Sequence, residues 1–187
     1  MKVAIKRAAW YKEDLSLDSV EAIEILSGSW REACGHFAVA TEAKLARGKK
    51  GPMGIQHFLN GVINERFLSS GWEGMNAKFR KGDTWVSISF RHQMSVGSDL
   101  YNALCLWRRG NIKQILILAA TLDFLRVITP LDAQSLASFE KFTTAMSQMT
   151  GAFEPPIIVG ALEPESVLDK KVAELVFGKR LKTSERS

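Results

Sequence analysis

The run "KQILILAA", beginning at Lys113, constrains the fold more than any other stretch of this chain. Its length and branched residues mark a buried strand, with flanking segments of helical pattern to cover it. A second apolar run, "PPIIVGAL" from Pro155, reads the same way. A third stretch, "DTWVSISFRHQ" from Asp83, reads as a strand with two distinct faces. Successive strand side chains point to opposite sides, so Val86, Ile88 and Phe90 share an apolar face. Trp85, Ser87, Ser89 and Arg91 share the other, where two small hydroxyls lie between an aromatic ring and a guanidinium.

The rest of the chain supplies the covering elements. "MKVAIKRAAW" is a short strand. "LDSVEAIEILSGSW" predicts a helix capped by Asp18, with Val20, Ile23 and Leu26 on one stripe. A second helix is expected over 30–45, then a loop, "ARGKKGPMG", with glycines and Pro52 as breakers. In "IQHFLNGVINERFLSSGW" the stripe Ile55, Phe58, Leu59, Val62, Ile63 and Phe67 predicts an amphipathic helix ended by Gly71. "GMNAKFR" and "TWVSISFR" form two strands joined by the turn "KGD". "SDLYNALCLWRRG" predicts a helix capped by Ser98 or Asp99 and stopped by Gly110. "SLASFEKFTTAMSQM" and a closing "PESVLDKKVAELVFG" are further helices, the latter with Pro164 near its start. Helices, then a hairpin, then alternating helix and strand imply an α/β protein, a mixed sheet sandwiched by helices.

At 187 residues the chain suits one domain with a substantial core, expected over 1–177, followed by a basic flexible tail over 178–187. No apolar run approaches the ~20 residues that span a bilayer, and the longest, "ILILAATLDFL", is interrupted by Asp123. The N-terminus lacks the long apolar segment and cleavage site of a signal peptide. A cytoplasmic protein with no membrane partner is expected, with Cys34 and Cys105 as reduced, buried thiols.

The formal charge of +5 and pI near 9.3 permit attraction to a polyanion. Basic residues cluster at Lys44, Arg47, Lys49 and Lys50, at Lys78, Arg80 and Lys81, and at Arg108, Arg109 and Lys113. Each cluster alone reads as solvated surface; three in one basic chain make nucleic acid a candidate partner. Catalytic patterns are scarce. His36, His57 and His92 are scattered without metal-ligand spacing, "GKKGPMG" is not a P-loop, and no GxSxG or GxGxxG follows a strand.

The segment 51–162 resembles the type II restriction endonucleases of the BamHI and BglII group, within the PD-(D/E)xK nuclease superfamily. "FLNGVINERFLSSGWEG" is similar to that family's helix leading into a "GW" before the catalytic hairpin, and "VSISF" to its core strand. "DLYNALCLWRRGNIKQILILAA" resembles the next helix, glycine turn and apolar strand, and "FEPPIIVGAL" the late strand with its isoleucine-glycine pattern. Order and spacing carry the resemblance, which spans a little over half the chain.

The resemblance implies Mg²⁺ held by hairpin carboxylates, activating water and stabilising charge on the phosphate. The family's first acid falls at or beside Ala77, and its two later polar positions on Ser87 and Ser89. None of the three is acidic. Glu65 falls near a position where some relatives hold a supporting acid, and Asp83 is the alternative site for a migrated one. The implied protein is a catalytically degenerate relative, with no metal or other cofactor. It binds double-stranded DNA or serves as a non-catalytic subunit beside an active nuclease or other defence protein. Two alternatives stand beside it: an active Mg²⁺-dependent endonuclease with relocated acids, and a pure protein-interaction subunit. DNA contacts are expected from Lys49, Lys50, Lys78, Arg80, Lys81, Arg91 and His92. The resemblance also implies a homodimer, with Leu100, Leu104 and Trp107 as a candidate stripe.

Overall fold

A computed structural model describes residues 1–7, 11–49, 54–75, 77–90, 92–129, 133–149 and 154–163, without the side chains of Arg7 and Met75. The expected closing helix and basic tail lie outside the described residues. In chain order the elements are β1 (Lys2–Arg7), α1 (Leu17–Ala46), α2 (Gln56–Ser69), β2 (Glu73–Met75), β3 (Lys78–Lys81) and β4 (Thr84–Ser89). They continue with α3 (Ser95–Arg108), β5 (Gln114–Ala120), α4 (Leu122–Ile128), a 3₁₀ turn (Ala133–Ser135), α5 (Phe139–Ser147) and β6 (Ile157–Glu163).

The six strands form one mixed sheet in the order β1-β6-β5-β4-β3-β2. β4, β5 and β6 run parallel at its centre; β1 is antiparallel to β6, and β2, β3 and β4 form an antiparallel meander. Every residue of β5 is buried, because the sheet is covered on both faces. One face packs Val86, Ile88, Leu116, Leu118 and Ile158 against Leu26, Trp30, Leu59 and Ile63 of α1 and α2. The other packs Trp85, Ile115, Ile117 and Val159 against Leu100 and Ala103 of α3 and Phe142 of α5. The α/β class and the alternation along β4 are therefore as the sequence implies.

Several helix assignments differ from expectation. The stretch "SGSW" does not divide two helices: α1 is a single helix of 30 residues, capped by Ser16 rather than Asp18. The hydroxyls of Ser27 and Ser29 donate to the carbonyls of Ile23 and Ile25, so the helix itself satisfies them. Its buried stripe runs through Ala22, Leu26, Trp30, Ala33 and Phe37, while Val20 is exposed. α5 begins at Phe139 behind the cap Ser138, and α4, capped by Thr121, is an element that the apolar run concealed. Most consequentially for the site, α3 begins at Ser95, so neither Ser98 nor Asp99 caps it.

A buried polar node sets the direction of α1. The Gln114 carbonyl accepts from Ser16 N at 2.8 Å and Ser19 Oγ at 2.5 Å; its amide donates to Tyr11 OH at 2.8 Å and the Asp14 carbonyl at 2.9 Å. The start of α1 is thereby tied to the start of β5, and Ser16 Oγ lies 3.0 Å from Thr84 Oγ1 at the start of β4. α1 then crosses the sheet toward the end where β4 exits, with α2 returning beside it.

Candidate functional site

β2 and β3 pair as a hairpin, and β3 pairs with β4 so that Lys78 stands opposite Ser87 and Phe79 opposite Val86. Directly opposite residues project to the same face. Phe79 therefore joins the core beneath α2, stacking on Phe67 at 4.2 Å, while Lys78 shares the face of Ser87 and Ser89 under α3. Ala77, immediately before β3, holds a left-handed φ of 63°. Its N–H reaches Asn64 Oδ1 at 3.4 Å, and its carbonyl accepts from Ile88 N at 2.8 Å.

The serine face is closed rather than an open hydroxyl pocket. Ser87 is 1% and Ser89 0% exposed, because α3 lies across them. Asp99, read as a cap, projects from the interior of α3 into this space at 1% exposure. Asp99 Oδ1 meets the Lys78 ammonium at 2.6 Å, an ion pair outside regular hydrogen-bond directions, and Asp99 Oδ2 accepts from Ser87 Oγ at 3.4 Å. Ser89 Oγ and Ser95 Oγ are buried without a partner among the described residues. The local signal for Asp99 was present in the sequence. Val96, Leu100 and Ala103 make the buried stripe of α3, and position 99 falls on it. An acid on an apolar stripe needs a counter-charge, which Lys78 supplies.

The other expected acids lie elsewhere. Glu65 is exposed on α2 and lines a shallow groove with His36 and His57, away from the serine face. Asp83 sits at the opposite end of β4, bonded to Lys113 at 2.8 Å; that bond holds its carboxyl below the ordinary value of 3.8. The donor set does not fit the Mg²⁺ that the resemblance implies. Ala77 offers no side-chain oxygen, two serines carry no charge, and one carboxylate is already compensated by an ammonium. Among the described residues, no three His, Cys, Asp or Glu side chains converge as metal ligands.

The expected DNA-contacting residues divide into those bonded internally through their charged groups and those exposed at the surface. The Lys81 ammonium donates to both Glu21 oxygens at 3.0 and 2.7 Å and to the Ser70 carbonyl at 3.1 Å, so all three of its donors are used internally. Arg80 bonds the carbonyls of Gly82 and Asn111, each at 3.2 Å, at the turn end of the hairpin. Lys49 is exposed just beyond α1, and His92 is exposed beyond the exit of β4. Lys50 and Arg91 lie outside the described residues. Of the expected self-association stripe, Leu100 is buried in the core beneath α3, and Trp107 packs on that core.

The placement of the first basic cluster follows from the packing of α1 and α2. Phe37 of α1 meets Phe58, two residues into α2, at 5.8 Å. The start of α2 is fixed at the exit of β4, where Gln56 Nε2 donates to the Phe90 carbonyl at 2.7 Å. The residues of α1 beyond Phe37 therefore run past the start of α2, and they carry exposed Lys44, Arg47 and Lys49 out beyond the end of the sheet where His92 lies.

No helix among the described residues is long and apolar enough to cross a membrane. No family model and no curated protein matches the sequence. Among solved structures, the chain is similar to restriction endonuclease BglII complexed with a DNA 16-mer, at 15% identity and a TM-score of 0.59, over 89% of this chain and 78% of that one. The six-stranded mixed sheet with helices on both faces is a restriction-endonuclease-like fold.

Proposed function

We propose that this chain is a non-cleaving protein of restriction-endonuclease-like fold that binds double-stranded DNA. The observation that carries the reading is the hairpin, where Ser87 and Ser89 are buried and the one acid that adjoins them among the described residues, Asp99, is neutralised by Lys78. A divalent ion at that place would meet one pre-paired carboxylate, too little negative charge to offset its own. A fold can outlive its chemistry, and the duplex-binding surface is then what remains. The charge of +5 and the projecting group Lys44, Arg47 and Lys49 favour DNA over a purely protein partner. A role beside an active nuclease or as a homodimer is compatible with this surface.

The test is fluorescence anisotropy of a labelled random-sequence duplex titrated at several salt concentrations, followed by incubation of supercoiled plasmid with Mg²⁺. The expected result is binding that weakens steeply with salt and plasmid that stays intact. Nicking abolished by Asp99→Asn or Asp83→Asn, and absent from a mock purification, would establish the relocated-acid endonuclease instead. No binding even at low salt would leave a protein-interaction subunit.

A further inference from the structure

We infer that Lys78 is a fixed cation that takes a DNA phosphate where the fold's relatives place a metal, and that Asp99 is the residue positioning it; the inference rests on the DNA-binding reading above. Lys78 stands opposite Ser87, so its ammonium occupies the hairpin face to which the resemblance assigns the metal. The pair is asymmetric in burial. Asp99 is 1% exposed, while the Lys78 side chain is 26% exposed, so the outward member is the cation. Asp99 belongs to the interior of α3, and packing at 1% exposure leaves its carboxylate little room to turn away.

An ammonium has three donors, and the described residues give Lys78 one partner, Asp99. The remaining donors have no partner among the described residues, and we assign them to an oxyanion approaching from solvent. Lys81 provides the internal contrast, because Glu21 and Ser70 already take its three donors. A lysine held at one point on a rigid strand also loses little rotamer freedom when it meets a phosphate. DNA binding at this point then needs no divalent ion.

The test repeats the anisotropy titration in EDTA and in Mg²⁺ at matched ionic strength. It compares the natural protein with Lys78→Gln/Asp99→Asn, which removes both charges together, and with the control pair Lys81→Gln/Glu21→Gln. The expected result is no gain in affinity when Mg²⁺ replaces EDTA. The Lys78→Gln/Asp99→Asn variant should lose one phosphate contact, making the slope of log K against log salt shallower by about 0.9. Between about 50 and about 200 mM salt, its affinity then falls about 3.5-fold less than that of the natural protein. The control pair should leave the slope unchanged.

Binding that requires Mg²⁺ would overturn the inference. So would an unchanged slope in a folded Lys78→Gln/Asp99→Asn protein, which would leave DNA binding standing without Lys78. Absence of binding by the natural protein in both buffers would remove the DNA-binding reading and this inference with it. The EDTA comparison uses the natural protein alone, so a variant that fails to fold does not shelter the claim.

Discussion

Separating the Lys78–Asp99 pair should destabilise the protein unequally according to which partner is removed. Lys78→Met strands a carboxylate that is 1% exposed, with only the Ser87 hydroxyl at 3.4 Å to accept from among the described residues. Leaving a buried charge unpaired costs about 3–5 kcal/mol. Asp99→Asn strands the ammonium instead, but the Lys78 side chain is 26% exposed and its flexible stem can turn the charge toward water. Discounted for that exposure, the lost charged contact costs about 1–2 kcal/mol. Urea unfolding at neutral pH, followed by tryptophan fluorescence, reads the difference. With m of about 2 kcal/mol/M, the midpoint should fall by about 1.5–2.5 M for Lys78→Met and by about 0.5–1 M for Asp99→Asn, with m unchanged. Equal losses, or a larger loss for Asp99→Asn, would refute the claim that Asp99 is the buried member of the pair.

Three further perturbations test the surrounding architecture. Gly74 holds a φ of 142°, and a Cβ there would run into the Lys78 carbonyl across the hairpin; Gly74→Ala should lower the melting temperature by several degrees, read by calorimetry. Gln114→Leu removes the acceptor for Ser16 N and Ser19 Oγ and should destabilise by about 2–4 kcal/mol in the same urea assay, because Ser19 is fully buried and cannot turn to water. NMR titration of Asp83 should give a midpoint below 3.8, returning toward it in Lys113→Met. Because that folded-state value is depressed, the Asp83–Lys113 contribution is present above 3.8 and is lost as pH falls through the lowered value; both groups are exposed, so it is small and shrinks in high salt.

Why some features were legible in the sequence and others were not follows from the range of the interactions. The division of β4 into Val86, Ile88 and Phe90 on one side and Trp85, Ser87 and Ser89 on the other was readable, because strand alternation is a property of consecutive residues. Gly71, in left-handed conformation after α2, and Gly110, after α3, were readable as stops for the same reason. α1 was misdivided because "SGSW" carries local breaker residues whose hydroxyls return to their own helix, while Trp30 and the residues around it are held by packing. The role of Asp99 turns on where α3 starts: the four helical residues from Ser95 to Ser98 make position 99 a core position rather than a cap.

The sequence alone determined the α/β class, which apolar runs become central strands, and the lack of acids at Ala77, Ser87 and Ser89. These depend on composition and short-range periodicity, which every residue carries with it. Tertiary structure alone decided which charges meet. Lys78 faces Ser87 through the β3–β4 register, and Asp99 reaches both because α3 crosses over that face. Lys81, three positions further along the same short strand, is instead taken up by Glu21, 60 positions earlier in the chain. Pairing between distant charges is set by register and packing angle, and neither is written in any local stretch of residues.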